Sequence, residues 1–208
     1  LDDRLQLNAA LYYIDWTDVQ MDALRQSDGA NFIANAGDAV SKGIELELVA
    51  LPVDNLDLRL TMSFQDSEIN QIGPEASFLS GAQVGDTMPG TADFLASFNL
   101  QYVWELSSPW DLLGQLGAQY IGDSPNRFSY GTATGLPNAS YAINDSYTNV
   151  DASLSLLMDQ WLVSLYVQNL TNNDNIILNT GAMALASGEN RFITLQPRTF
   201  GLRVNYAF

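Results

Sequence analysis

Twenty-four carboxylates, eight basic side chains and no histidine or cysteine set the chemistry open to this 208-residue chain. Without histidine the commonest general base and the commonest metal ligand are missing. No Ser-His-Asp or Cys-His nucleophile system can be assembled, and the lack of cysteine leaves neither a disulfide framework nor a thiolate metal site. No glycine-rich phosphate loop with a lysine is present. What remains is carboxylates, amides and a few arginines. Glu45 and Glu47 stand two residues apart, so they share one face of an extended strand. They could line an interior or bind a cation; the plainer reading is wall residues paired with an arginine. Asp57 and Arg59 have the same spacing and read as mutually neutralising. Asp66-Ser-Glu-Ile-Asn70, Asp123-Ser-Pro-Asn-Arg-Phe128 and Asn172-Asn-Asp-Asn175 offer oxygens of the kind hard cations take, but at no metal-loop spacing. They read as solvated loop, and neither a metal nor a cofactor is expected. Arg127, Phe128 and Tyr130 could together meet an anionic or aromatic ligand, with an ordinary surface cluster as the plainer alternative. An enzyme is the reading with least support.

The elements that position these residues have a period of two. In the last stretch Phe200, Leu202, Val204, Tyr206 and Phe208 alternate with Thr199, Gly201, Arg203, Asn205 and Ala207. A large apolar residue at every second step makes a strand with one wet and one greasy face. The pattern recurs seven more times, with apolar sets at Leu5–Tyr13, Ile44–Ala50, Leu56–Phe64, Phe94–Trp104, Trp110–Tyr120, Val150–Met158 and Trp161–Val167. None of the eight apolar sets holds an Asp, Glu, Lys or Arg; every strand charge sits in the other sets. A charge facing lipid costs about 2–4 kcal/mol at the bilayer midplane, so a membrane would demand this segregation. Each run is close to the ~9–11 residues a tilted strand needs to cross. The second strand is expected to begin earlier, near Asn31, with Gly37 and Gly43 at bulges or bends.

The connections alternate as well. Short ones fall near 51–55, 105–109 and 159–160, long ones near 17–30, 66–93, 122–146 and 171–197. Short periplasmic turns and long extracellular loops distinguish outer-membrane barrels. Trp104, Trp110, Trp161 and Phe208 gather at the short-turn side, as an interfacial aromatic girdle would. A net charge of −16 argues against nucleic acid and against docking on anionic lipid through a basic patch. No apolar run is long enough for a transmembrane helix. The first residue is Leu1 and no signal peptide is visible, so the chain reads as a mature or truncated piece.

Longer motifs carry a resemblance. Leu11-Tyr-Tyr-Ile-Asp-Trp16, Asn35-Ala-Gly37 and Ser41-Lys-Gly43-Ile-Glu-Leu-Glu-Leu48 resemble strands of the TonB-dependent outer-membrane receptors. Gly85-Asp-Thr-Met-Pro-Gly90 resembles the loop that re-enters the barrel in that family. Tyr147-Thr-Asn-Val-Asp-Ala-Ser-Leu154, Val167-Gln-Asn-Leu-Thr-Asn172 and Gln196-Pro-Arg-Thr-Phe-Gly-Leu202 resemble its last three strands. Ala92-Asp93 stands where the family often has a second proline. The resemblance implies an all-β fold: an antiparallel transmembrane β-barrel segment of about eight strands, the last part of a 22-stranded barrel. Residues 1–208 would be the C-terminal part of the barrel domain, without the N-terminal plug and TonB box. It implies active uptake of a siderophore or other scarce nutrient across the outer membrane of a Gram-negative bacterium. The implied partners are outer-membrane lipid, the barrel-assembly machinery (which would read Phe208), the TonB complex acting through the missing N-terminal part, and a small-molecule ligand such as a ferric siderophore. Glu45 and Glu47 would face the lumen and the plug. The sequon Asn169-Leu-Thr171 has no meaning at a strand end in this pattern.

Two other classes fit the alternation. Eight strands can close into a small outer-membrane barrel with a structural or adhesion role. A soluble β-barrel or sandwich would turn the same apolar stripes inward to hold a small apolar ligand.

Overall fold

The computed structural model describes residues 4–25, 27–182 and 190–208. The chain enters on β1 (Leu5–Leu24), returns on β2 (Asn31–Ala50) and rises again on β3 (Leu56–Ile72). A seven-residue helix, α1 (Pro74–Ser80), follows, opened by Pro74 and closed by Gly81 in the left-handed region at φ 79°. Then come β4 (Phe94–Glu105), β5 (Trp110–Ile121), the two-residue strands β6 (Ser124–Pro125) and β7 (Ile143–Asn144), and β8 (Tyr147–Met158). The chain continues through β9 (Trp161–Gln168), β10 (Ile176–Ala182), β11 (Asn190–Thr194) and β12 (Thr199–Tyr206).

Eight of these strands make one antiparallel sheet in the order β1-β2-β3-β4-β5-β8-β9-β12. Only sequential neighbours pair, and β1 and β12 form its two edges. The registers put the apolar sets on one face throughout. A single row runs Leu5, Ala50, Leu58, Leu100, Leu116, Ala152, Val167, Phe200, each residue opposite the next across all seven ladders. This face is left uncovered by the chain itself: Leu11 is 80% exposed and Phe200 73%. The adjacent rows on the other face are polar, as in Asp57, Gln101, Gln115, Ser153, Tyr166 and Gly201. Two hollows, of about 600 and 580 Å³, are lined mainly by that polar set, which makes it the concave face.

Aromatic rings bracket the apolar band. At the short-turn end Tyr102 packs on Trp104 at 4.7 Å, Trp161 on Tyr206 at 4.7 Å and Tyr206 on Phe208 at 5.4 Å. At the other end Phe64 stacks on Phe94 at 4.6 Å, with Tyr120 beside Phe94 at 5.6 Å. From Phe94 to Trp104 the strand rises about 34 Å at ~3.4 Å per residue. Tilted by ~35–45°, that covers about 24–28 Å, close to the ~25 Å apolar band of outer-membrane barrels.

The short turns fall where the sequence places them, at 51–55, 106–109 and 159–160. The long connections are more structured than expected. β1 and β2 run on as a hairpin whose turn occupies only 25–30, and β3 continues to Ile72. The alternation hides this because its phase resets. Thr17 and Asp18 form a bulge between Trp16↔Ala39 and Val19↔Gly37, with Asp18 at φ 56° and its N–H donated to the Asp38 carboxylate at 3.1 Å. Below the bulge the concave face takes the even residues of β1; above it Val19, Met21 and Ala23 are the buried ones. Gly37 borders a second shift, between Val19↔Gly37 and Gln20↔Asn35, and a third lies between Asp38 and Ala39 against β3. Gly43 sits in regular pairing and not at a bulge. Its missing side chain makes room for the Tyr12 ring, which a Cβ would meet at 2.7 Å. Of the long connection expected at 171–197, residues 183–189 lie outside the described residues.

Candidate functional site

The concave face and the rim at the long-loop end are where this sheet can meet a solute. Glu45 and Glu47 point into a hollow of about 600 Å³ shared with Asn8, Thr61, Ser63, Ser97 and Gln119. Asn8 Nδ2 donates to Glu47 Oε2 at 2.9 Å. Among the described residues no arginine or lysine forms an ion pair with either glutamate. A neighbouring hollow of about 580 Å³ holds Asp57, Arg59, Asp151, Tyr166 and Arg203. There Arg59 donates through Nε and Nη2 to both oxygens of Asp57, each at 3.1 Å, the mutual neutralisation expected from their spacing. Arg203 lies over the Tyr166 ring at 5.5 Å. Hydroxyls and amides bridge the strands between these charges. Thr61 meets Ser97 at 2.9 Å, Ser155 meets Ser164 at 2.7 Å, and Gln115 links Gln101 to Ser153. The result is a hydrogen-bonded polar wall.

The three rim residues singled out in the sequence do not line one cavity together. Arg127 and Phe128 line one cavity of about 300 Å³ with Asp86, Asp93, Asp123 and Tyr141. Phe128 also packs on the buried cluster of Val19, Met21, Ala39, Ile69 and Ala82. Tyr130 is outside that cavity; its backbone bridges Pro137, and its carbonyl abuts Gly81. The sequence placed all three on one connection, but adjacency along an irregular loop does not fix which way each side chain points.

Two features were not singled out in the sequence. Ile14 and Trp16 share the concave parity of Asn8 and Ala10, and remain 53% and 52% exposed at the mouth, just below the bulge. They put large apolar side chains on the face that carries the strand charges, as Leu95 and Leu113 do elsewhere on it. The second feature is asparagine. Asn169, 3% exposed and at φ 51°, donates to the carbonyls of Asn173 and Gln196 at 2.7 and 2.9 Å and accepts from the Asn173 N–H at 2.9 Å. Its side chain is thus engaged in holding a turn. Asn126 does likewise, donating to Ser140 and Asn179 carbonyls and accepting from the Ala142 N–H.

Residues 1–170 match the protein family described as TonB dependent receptor-like, beta-barrel. No curated protein matches the chain. Among solved structures, the ferric yersiniabactin uptake receptor FyuA of Yersinia pestis superposes with a TM-score of 0.73 at 18% identity, over 99% of this chain and 28% of that one. The closed form of the ferric-catecholate import receptor Fiu of E. coli K12 gives 0.69 at 23% identity, over 100% and 26%. The siderophore receptor PiuA of Acinetobacter baumannii gives 0.67 at 19% identity, over 99% and 26%. At these identities the likeness is one of fold, and the chain spans well under a third of each receptor's length.

Proposed function

The chain belongs to the TonB-dependent receptor β-barrel family, and from that premise we propose that it forms part of the wall and rim of an outer-membrane uptake receptor for a ferric siderophore in a Gram-negative bacterium. The observation that carries this reading is the charge-free row from Leu5 to Phe200, unbroken over eight strands and backed by a polar concave face. A sheet with that polarity matches lipid outside and a hydrated lumen inside. It disfavours the soluble alternative, in which the apolar face would be the enclosed one. Eight strands covering 28% of a solved receptor fit a portion of a larger barrel, the last eight strands of 22 with the plug outside this chain.

In this arrangement the short turns are periplasmic and the long connections extracellular. Lipid covers the convex face, and Phe208, fully exposed beside Tyr206, is the residue the barrel-assembly machinery would read. The ligand arrives at the rim, where Arg127 supplies positive charge and Phe128 and Trp16 supply apolar surface. It then passes along the Glu45, Glu47 and Ser/Thr/Gln wall when the plug, worked by TonB, rearranges.

The experiment is uptake of iron-55 as ferric catecholate and ferric hydroxamate chelates by cells expressing the full-length receptor, with and without TonB. Energised uptake that disappears without TonB while surface binding persists is the expected result. Arg127→Ala should weaken binding about tenfold, the loss of one charge-assisted contact. Uptake that continues unchanged without TonB would sink the transport reading.

A further inference from the structure

We infer that the β3–β4 and β5–β8 connections form one pre-assembled rim, folded onto the sheet in the absence of any ligand. This concerns the chain's own cohesion and does not rest on the transport reading.

The first connection extends the wall. After α1 the chain descends along the upper part of β3, taking the place β4 leaves empty above Phe94. The Gly85 N–H donates to Ile69 O at 2.8 Å, the Ile69 N–H to Asp86 O at 3.0 Å, and the Met88 N–H to Ser67 O at 3.0 Å. Lower down, Gln65 holds the segment twice, through its N–H to Asp93 O at 2.9 Å and its side-chain amide to Ala92 O at 2.7 Å. Residues 85–93 thus prolong the place of β4 in the wall as an irregular stretch beside upper β3.

The second connection is fastened to the first. The Gly90 N–H donates to Pro125 O at 2.8 Å, the Ala133 N–H to Phe78 O at 2.7 Å, and the Ser129 hydroxyl to Asp86 Oδ1 at 3.2 Å. At Gly81 the two backbones touch: a Cβ there would lie 2.2 Å from the Tyr130 carbonyl oxygen. Below this seam lies the most buried part of the molecule. Ile69 and Val19 are fully buried, and Met88 and Phe128, one from each connection, pack against their cluster. Segments that open easily have few buried apolar contacts and solvent-exposed backbone bonds. Where these two connections sit on the sheet, at Ala82, Met88 and Phe128, they have the opposite character, while Val84 and Leu136 farther out stay exposed.

The test is amide hydrogen exchange of the full-length receptor in detergent without ligand, joined to trypsin cleavage after Arg127. Amides of Ile69, Met88, Gly90 and Ala133 should exchange about 100-fold more slowly than those of the hairpin turn at 27–30. Gly81→Ala collides with Tyr130, whereas Gly85→Ala has the same left-handed backbone, at φ 88°, and open space around it. Cleavage after Arg127 should therefore rise about tenfold in the first variant and stay within about threefold in the second. Rim amides exchanging as fast as the hairpin turn would overturn the inference, as would equal cleavage of the two variants.

Discussion

The phenol ring of Tyr166 lies across the backbone of Gly201, its cross-strand partner, so closely that a Cβ on Gly201 would stand 2.2 Å from the ring. The ring then carries Arg203 over its face. Tyr12 treats Gly43 the same way near the opposite edge of the sheet, on the same face, and Trp104 covers Gly114 on the apolar face. Glycine, a weak strand residue by itself, becomes useful here because it gives an aromatic ring a flat bed.

Gly201→Ala should therefore evict Tyr166 from its seat and separate it from Arg203. Overpacking of this kind costs about 1–3 kcal/mol. The urea midpoint of the folded receptor should fall, and the near-ultraviolet tyrosine signal should change. An unaltered midpoint would show that the ring moves aside without penalty.

Leu100 and Asn99 are neighbours on opposite faces of β4, midway between the two aromatic belts. In the proposed orientation Leu100→Arg presents a charge to lipid and should cost about 2–4 kcal/mol. Asn99→Arg opens onto the polar hollow and should stay within about 0.5 kcal/mol. Comparing the heat-modifiable folded fraction of the two variants checks which face meets the bilayer; equal loss in both would count against the assignment.

Asn169→Ala removes four hydrogen bonds of a buried amide and leaves the partners unsatisfied, at about 1–3 kcal/mol. Asn169→Gly keeps the left-handed backbone easy but loses the same bonds. Both should speed exchange of the Asn173 amide. If only the alanine variant does so, backbone conformation rather than the side-chain bonds holds the turn.

Glu45→Gln together with Glu47→Gln should leave assembly and the urea midpoint unchanged. Asn8 keeps an acceptor at position 47, and among the described residues no cation loses an ion-pair partner. A large loss of folded receptor would mean that both carboxylates are held by cations from the rest of the protein.

The wall was legible in the sequence, since one apolar and one polar face impose an alternation on each of the eight strands of the main sheet. The three short turns followed from the same signal. The rim was not legible. Above the apolar band, Gln65, Asp66, Ser67 and Glu68 of β3 are polar on both faces, so no alternation marks the strand's continuation to Ile72. In β1 the alternation does continue, but Thr17 and Asp18 shift its phase. Arg127 and Phe128 share a cavity that Tyr130 does not line, and loop sequence alone could not show this, because the Tyr130 carbonyl lies against Gly81, about fifty positions away in the chain. The role of Asn169 as an internal strut had no sequence signal beyond its position at a strand end.

The bulge at Thr17–Asp18 also sets where this protein tolerates re-engineering. Removing one residue between Leu5 and Trp16 would turn leucines into the lumen and amides toward lipid. Beyond the bulge, the β1–β2 hairpin outruns β3, whose pairing stops at Gly37↔Ile72, and residues 27–29 at its turn are exposed. An epitope tag or a grafted peptide placed there, in an even number of residues, lengthens an antenna and leaves the hull untouched.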